Sequence, residues 1–194
     1  MDSGSLLLVV GLGNPGREYA GTRHNIGFDV VDELVHRVSG RWEENRKWRA
    51  VTFREGGVLY LKPLTFMNLS GEAVRKAADF YKIPLERVLV VYDEMSLPLG
   101  RFRLRKSGSA AGHNGIRSVM EIFGSEAVPR LRVGIGQSGP GGAVGYVLGR
   151  FSPAEMALVG EVVRIAANAV TAVTEQGFDL AMNRYNAMRV DCEE

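Results

Sequence analysis

The chain has 194 residues, 45% hydrophobic and 24% charged, with a formal net charge of +2, which fits one domain spanning 1–194 that buries roughly 70% of its unfolded surface. Its single cysteine, Cys192 in the acidic tail, excludes an internal disulfide and any CxxC metal site. With no basic leader and no apolar run near the ~20 residues of a bilayer span, the chain is expected to be soluble and cytoplasmic.

In chain order, Leu6–Val10 is a continuous apolar run, the pattern of a strand buried on both faces. Phe28, Val31, Leu34, Val35 and Val38 fall on one helical stripe. Trp48–Arg54 and Val58–Lys62 flank Glu55-Gly56-Gly57, which predicts a hairpin and hence a mixed sheet. Val74, Ala77, Ala78 and Tyr81 mark a second helix, and Val88–Tyr92 another buried strand. Arg101–Arg105 alternates, with Phe102 and Leu104 on one side and three arginines on the other. Ile116, Val119, Met120 and Phe123 mark a third helix. The glycine-rich stretch from Gly134 to Gly142 reads as part of a mobile loop over about 137–152. Ser152-Pro153-Ala154-Glu155 then reads as a capping box with proline at the first helical position. Met156, Val159, Val163, Ala166, Val170 and Val173 form its apolar stripe, and Gly177 its stop. A last helix is expected from Asp179 to about Met188, closing a C-terminal helical region over about 153–189. Strands alternating with helices, without repeat or linker, predict an α/β fold.

Charge is unevenly placed. Seven basic residues between Arg101 and Arg132 face two acidic ones, a local net of +5 that leaves −3 for the rest of the chain. A solvated basic face explains this, and so does a phosphate-rich partner.

Gly11-Leu-Gly-Asn-Pro-Gly16 matches GxGxxG after a strand, the fingerprint of a dinucleotide-binding domain. The polar residues after Gly16 delay the next helix by about ten positions, and Asp29, Asp32 and Glu33 fall on that helix rather than at a strand tip. The context fails, and the fingerprint is rejected.

Ligands of open α/β sheets bind beyond the carboxyl ends of the parallel strands. There the sequence places Asn14, Tyr19, His24 and Asn25 after the first strand, and Met67 and Asn68 after the strand of the hairpin. Asp93 and Glu94 end the next apolar strand, and His113 with Asn114 open the third helix. No GxSxG elbow, carboxylate pair or HExxH pattern is present in the sequence. What remains is His24 as general base, Asp93 holding its tautomer, and asparagine amides positioning a substrate carbonyl, a set suited to ester hydrolysis by water. Taken singly, Asn14 reads as a turn former, Asn68, Asn114 and His113 as helix-start hydrogen bonders, and His36 as a solvated side chain.

The segments VVGLGNPGREYAGTRHNIGF, KPLTFMNLSGEAV, VVYDEMSLPLG, GHNGIRSV, RLRVGIG and GYVLGRFSP closely resemble bacterial peptidyl-tRNA hydrolases. The resemblance implies a single three-layer α/β/α domain with a mixed, mostly parallel twisted sheet. It implies a monomer, free of cofactor and metal, that cleaves the ester between the peptide and the terminal ribose of peptidyl-tRNA and so recycles tRNA released early by ribosomes. Residue by residue, it places the catalytic pair on His24 and Asp93 and substrate positioning on Asn14, Asn68 and Asn114. Met67 and Tyr19 would line the cleft, Arg105 and Arg132 would clamp a tRNA phosphate, and Arg103, on the same strand face as Arg105, would assist.

Two departures stand out: Ser96 where the family usually has an aspartate, and Ala111-Gly112 where it commonly has two glycines. They bring to mind plastid splicing factors of the same fold, which bind RNA without needing hydrolysis. An oriented base at His24 has no use in a pure binder, so hydrolysis is the expected activity.

Overall fold

The computed structural model describes residues 6–137 and 142–191. Its strands are β1 Leu7–Gly11, β2 Glu43–Asn45, β3 Ala50–Glu55, β4 Val58–Pro63, β5 Val88–Glu94, β6 Phe102–Arg105 and β7 Arg130–Gly134. They form one sheet in the order β2-β3-β4-β1-β5-β7-β6. The four central strands are parallel, while β2, β3 and β6 add antiparallel edges, so the sheet is mixed as the hairpin predicted. Helices α1 Ile26–Arg37, α5 Met156–Gln176 and α6 Phe178–Tyr185 contribute to one apolar cluster, and α2 Ser70–Tyr81 and α3 Asn114–Phe123 to the other.

The alternation of the strands explains the two clusters. Val9, Leu89 and Val91 join the α1–α5 cluster, while Leu8, Val10 and Val90 join the α2–α3 cluster. Both faces are covered, so β1 and β5 need apolar residues at every position. The glycines of the rejected fingerprint have a packing role. A side chain on Gly11 would meet the Gly27 carbonyl at 2.3 Å, and one on Gly27 would meet the Val91 carbonyl at 2.4 Å. The first turn of α1 therefore lies directly on the ends of β1 and β5, with Gly11 and Gly27 allowing backbone to approach backbone.

Several boundaries differ from expectation. β2 is an exposed, charged three-residue edge with no apolar signal, and Arg130 and Arg132 break up the continuous apolar run expected of a central strand in β7. Segment 153–155 is a turn rather than the first helical residues, although the Ser152 N–H donates to Glu155 Oε2 at 2.7 Å, the carboxylate half of a capping box. On α5, Met156 is 54% exposed and Val163 is half-buried. The buried line instead takes Val159, Val162, Ala166, Ala169, Val170 and Val173. The last helix stops at Tyr185, because the chain then turns to pair Arg189 with Arg101. Within the expected loop, Ala143–Leu148 forms a short helix, α4, while 138–141 lie outside the described residues. By length and composition α5 could cross a bilayer, but half of that apolar stretch is buried inside this fold.

Candidate active site

The chain leaves β1 through two short 3₁₀ turns before α1 starts, and the second, Arg23–Asn25, carries His24. Asp93 lies at the end of β5, next to β1, so the fold brings residues 69 positions apart into contact. His24 Nδ1 lies 2.9 and 3.0 Å from the two Asp93 carboxylate oxygens, and both side chains are buried. Nδ1 donates to the carboxylate, which leaves His24 Nε2 with the lone pair.

A third group joins them. His113 caps α3, its Nδ1 accepting the N–H groups of Gly115 and Ile116 at 3.1 and 3.4 Å. That fixes the hydrogen on Nε2, which donates to Asp93 Oδ1 at 2.9 Å. The sequence placed His113 at a helix start but gave no sign of its second bond, which depends on where β5 ends. Burial pushes the Asp93 carboxyl up, yet the electrostatic pull and hydrogen bond of His113, joined by those of His24, outweigh it and hold the group well below the ordinary carboxylate range.

His24, Asp93 and His113 bring three metal-type donor atoms within 4.8 Å of one another. Their hydrogen bonds assign them otherwise. Both nitrogens of His113 are engaged, one accepting from the backbone and one donating, and the trio is a hydrogen-bonded relay centred on one carboxylate.

The asparagines divide into two kinds. Asn14 is buried and wholly oriented: its Oδ1 accepts the Met67 N–H at 2.8 Å, so its Nδ2 is left as a donor. Asn25 locks the same backbone, accepting the Asn14 N–H and donating to the Asn14 carbonyl, each at 2.9 Å. Asn25 is thus a brace for Asn14. Asn68 and Asn114 are exposed, and neither caps a helix through its side chain; Leu69 and His113 hold the cap positions. Asn114 accepts a 3.4 Å bond from Arg117 and lines a cavity of about 100 Å³ with His24, Asp93 and His113. Ala143, Val144 and Val147 of α4 form the facing wall. Asn14, Tyr19, Met67 and Asn68 do not line this cavity; Asn14 instead lines a neighbouring one with Asn25, Phe28 and Asp29, and Met67 is buried with its sulfur against Gly115.

The arginines are less alike than their spacing implied. Arg103 stands directly opposite Arg132 across β6 and β7, and Arg105 opposite Arg130. Arg130 is fully buried, donating to the carbonyls of Val128, Ser109 and Glu126, so it belongs to the core and not to a basic surface. Arg132 forms a two-armed ion pair with Glu94, at 2.7 and 2.5 Å. Glu94 in turn accepts the N–H and hydroxyl of Ser96 at 2.9 and 2.7 Å. Burial works to raise Glu94, but the Ser96 bonds and Arg132 hold its carboxyl below the usual value. Arg105 is exposed and Arg103 half-buried.

Comparison with known proteins gives a consistent result. A family profile described as Peptidyl-tRNA hydrolase matches residues 8–193. A peptidyl-tRNA hydrolase of Synechococcus sp. (strain JA-3-3Ab) is 52% identical over 95% of this chain and 84% of its own length. One from Caldanaerobacter subterraneus subsp. tengcongensis is 47% identical over 93% of this chain and all of its own. The crystal structure of peptidyl-tRNA hydrolase from Acinetobacter baumannii superposes with a TM-score of 0.87 at 36% identity, covering 95% of this chain and 96% of that one. With its relay and sheet in place, the chain belongs to the peptidyl-tRNA hydrolase family.

Proposed function

We propose that the protein hydrolyses the ester joining the peptide to the 3′-terminal ribose of peptidyl-tRNA, with His24 as the base. His24 Nε2 takes a proton from water, and the resulting hydroxide attacks the ester carbonyl carbon. The developing oxyanion needs donors: Asn114 Nδ2 would act from the cavity wall, and Asn14 Nδ2 from beside the cavity. Collapse breaks the bond to the ribose oxygen, which receives the proton from the His24 imidazolium. Asp93 keeps His24 in the productive tautomer and stabilises the imidazolium. Asn68 and Tyr19 would act on bound substrate from outside the small cavity, with Met67 supporting Asn14 from beneath.

The observation that carries this reading is the buried relay: a carboxylate holding Nδ1 of His24 while that residue lines an open cavity. A base so oriented has no use in a protein that only binds RNA. The reading calls for no metal, cofactor or protein partner, since His24 itself activates the water, and we take the enzyme to work as a monomer in the cytoplasm. Arg105 and Arg132, with Arg103, would hold a phosphate of the acceptor stem. Release of free peptide from peptidyl-tRNA by the purified protein with chelator present tests the reading; no release would overturn it.

A further inference from the structure

Arg23 precedes the proposed base, and its side chain runs to the opposite side of the turn. One arm donates to the Arg150 carbonyl at 2.6 Å, the other to Glu155 Oε2 at 3.0 Å. Its guanidinium carbon stands 4.4 Å from the centre of the Tyr146 ring and 4.9 Å from that of Phe151. The Arg23 N–H also donates to the Gly149 carbonyl at 2.9 Å, and Thr22 bridges Arg150. The Arg23 side chain is only 11% exposed, and its Nε is buried without a partner.

An unpartnered N–H buried at this depth costs roughly 1–3 kcal/mol, so the arrangement persists because its other contacts outweigh that cost. Those contacts all lead one way. Tyr146 belongs to α4, Gly149 and Arg150 come directly after it, and Glu155 is the carboxylate that caps the next turn. The Tyr146 hydroxyl is itself tied to the Ile135 carbonyl at 2.7 Å. Ala143, Val144 and Val147 of the same short helix wall the cavity over His24, and Val144 is 71% exposed. A six-residue helix has little stability of its own, so its position depends on such anchors.

We propose that Arg23 is a positioning residue that fixes the α4 wall against the turn bearing His24, so that base and substrate wall move as one unit. The inference rests on His24 as base. Arginine is required because its planar fork reaches a carbonyl and a carboxylate while the guanidinium lies over two rings. Lysine keeps a cation for Glu155 but loses the fork and the stacking.

The test uses the purified full chain as Arg23→Ala, Arg23→Lys and His24→Ala, read by steady-state kinetics and by amide hydrogen exchange. The substrates are peptidyl-tRNA and a peptidyl-adenosine lacking the acceptor stem. Misplacing a substrate wall by about 1 Å costs up to about 10²-fold, so kcat/KM of both Arg23 variants should fall by about 10–100-fold on both substrates, with KM rising. Exchange across 143–148 should speed up while β5 and α3 keep their protection. In His24→Ala, turnover should vanish with exchange at 143–148 unchanged, so chemistry and wall are read separately. The proposal is overturned if kcat/KM of Arg23→Lys stays within about twofold of the parent. It is equally overturned if exchange rises alike in β5, α3 and α4, which would make Arg23 a general staple of the fold. Full turnover in His24→Ala would overturn the base assignment, and the exchange at 143–148 would still decide what Arg23 holds.

Discussion

His24 and His113 stand with their ring centres 4.8 Å apart, each 2.9 Å from the same oxygen of Asp93. One carboxylate therefore serves two imidazoles; among the described residues His113 engages both of its nitrogens, whereas His24 Nε2 has no hydrogen-bond partner. This arrangement separates the roles of the two histidines experimentally.

His24→Ala should remove turnover while leaving tRNA affinity near that of the parent, since a general base contributes about 10²–10⁴-fold in rate. Asp93→Asn should also be slow, because an amide in place of the carboxylate can stabilise the other imidazole tautomer. Single-turnover kinetics alongside a tRNA binding isotherm read both effects; a His24→Ala enzyme with normal kcat would sink the assignment.

His113→Asn distinguishes capping from the relay. Asparagine is a good N-cap, so α3 should keep its stability, yet its shorter side chain cannot also reach Asp93. One lost bond to a charged group is worth about 1.5 kcal/mol, so kcat should fall about tenfold and Tm by about 3–6 °C, with a larger drop in His113→Ala, which loses the cap as well. Parent-like activity in His113→Asn, with losses confined to His113→Ala, would mean that only the cap matters.

Two carboxyls shape stability against pH in opposite directions. The lowered Asp93 contributes stability that is present above its unfolded value of about 3.9 and is lost as pH falls through its folded value. Asp29 is raised to about 6 by burial and by Asp32, only partly offset by Lys62. The folded state therefore holds its proton more tightly, and stability falls as pH rises from about 4 through 6. Asp29→Asn should be neutral below pH ~4 and stabilising by about 1–3 kcal/mol above pH ~6. A Tm profile of the variant parallel to that of the parent would refute this.

Ala111 holds φ +47°, a left-handed conformation that costs an L-residue roughly 1–2 kcal/mol, and Gly112 comes next at φ +88°. Ala111→Gly should relieve that strain, less the ~0.4–1 kcal/mol of extra unfolded-chain entropy, for a net gain of about 0.5 kcal/mol in denaturant melts. A loss of stability would show that Ala111 is held by contacts that its backbone does not reveal.

The two arginines of the proposed clamp should behave differently. Losing exposed Arg105 should raise KM for peptidyl-tRNA, leave Tm unchanged and flatten the salt dependence by about one phosphate. Losing Arg132 should also raise KM and flatten the salt dependence, but in addition cost about 1–3 kcal/mol of stability, because Glu94 loses its cationic partner. Neither should matter much for peptidyl-adenosine. Equal damage on both substrates would place these arginines in support of the catalytic centre.

The candidate site was legible along the chain because its residues sit at strand ends, and apolar runs reveal strand ends. Leu6–Val10 and Val88–Tyr92 locate β1 and β5, and Asn14, His24 and Asp93 come after these runs, where open α/β sheets place their ligand-binding residues. Helical stripes are equally local, since a 3.6-residue period is written in consecutive residues. What only the tertiary structure decided are the second partners. His113 looks like a cap until β5 ends beside it, and Arg130 looks like a surface charge until three carbonyls surround it. Arg132 is spaced like a free clamp, but the neighbouring strand supplies Glu94, and Arg23 reaches residues more than 120 positions away. A side chain's type and period are properties of sequence. Its partner, and hence whether its charge faces water, a carbonyl or a carboxylate, is set by which strands lie side by side.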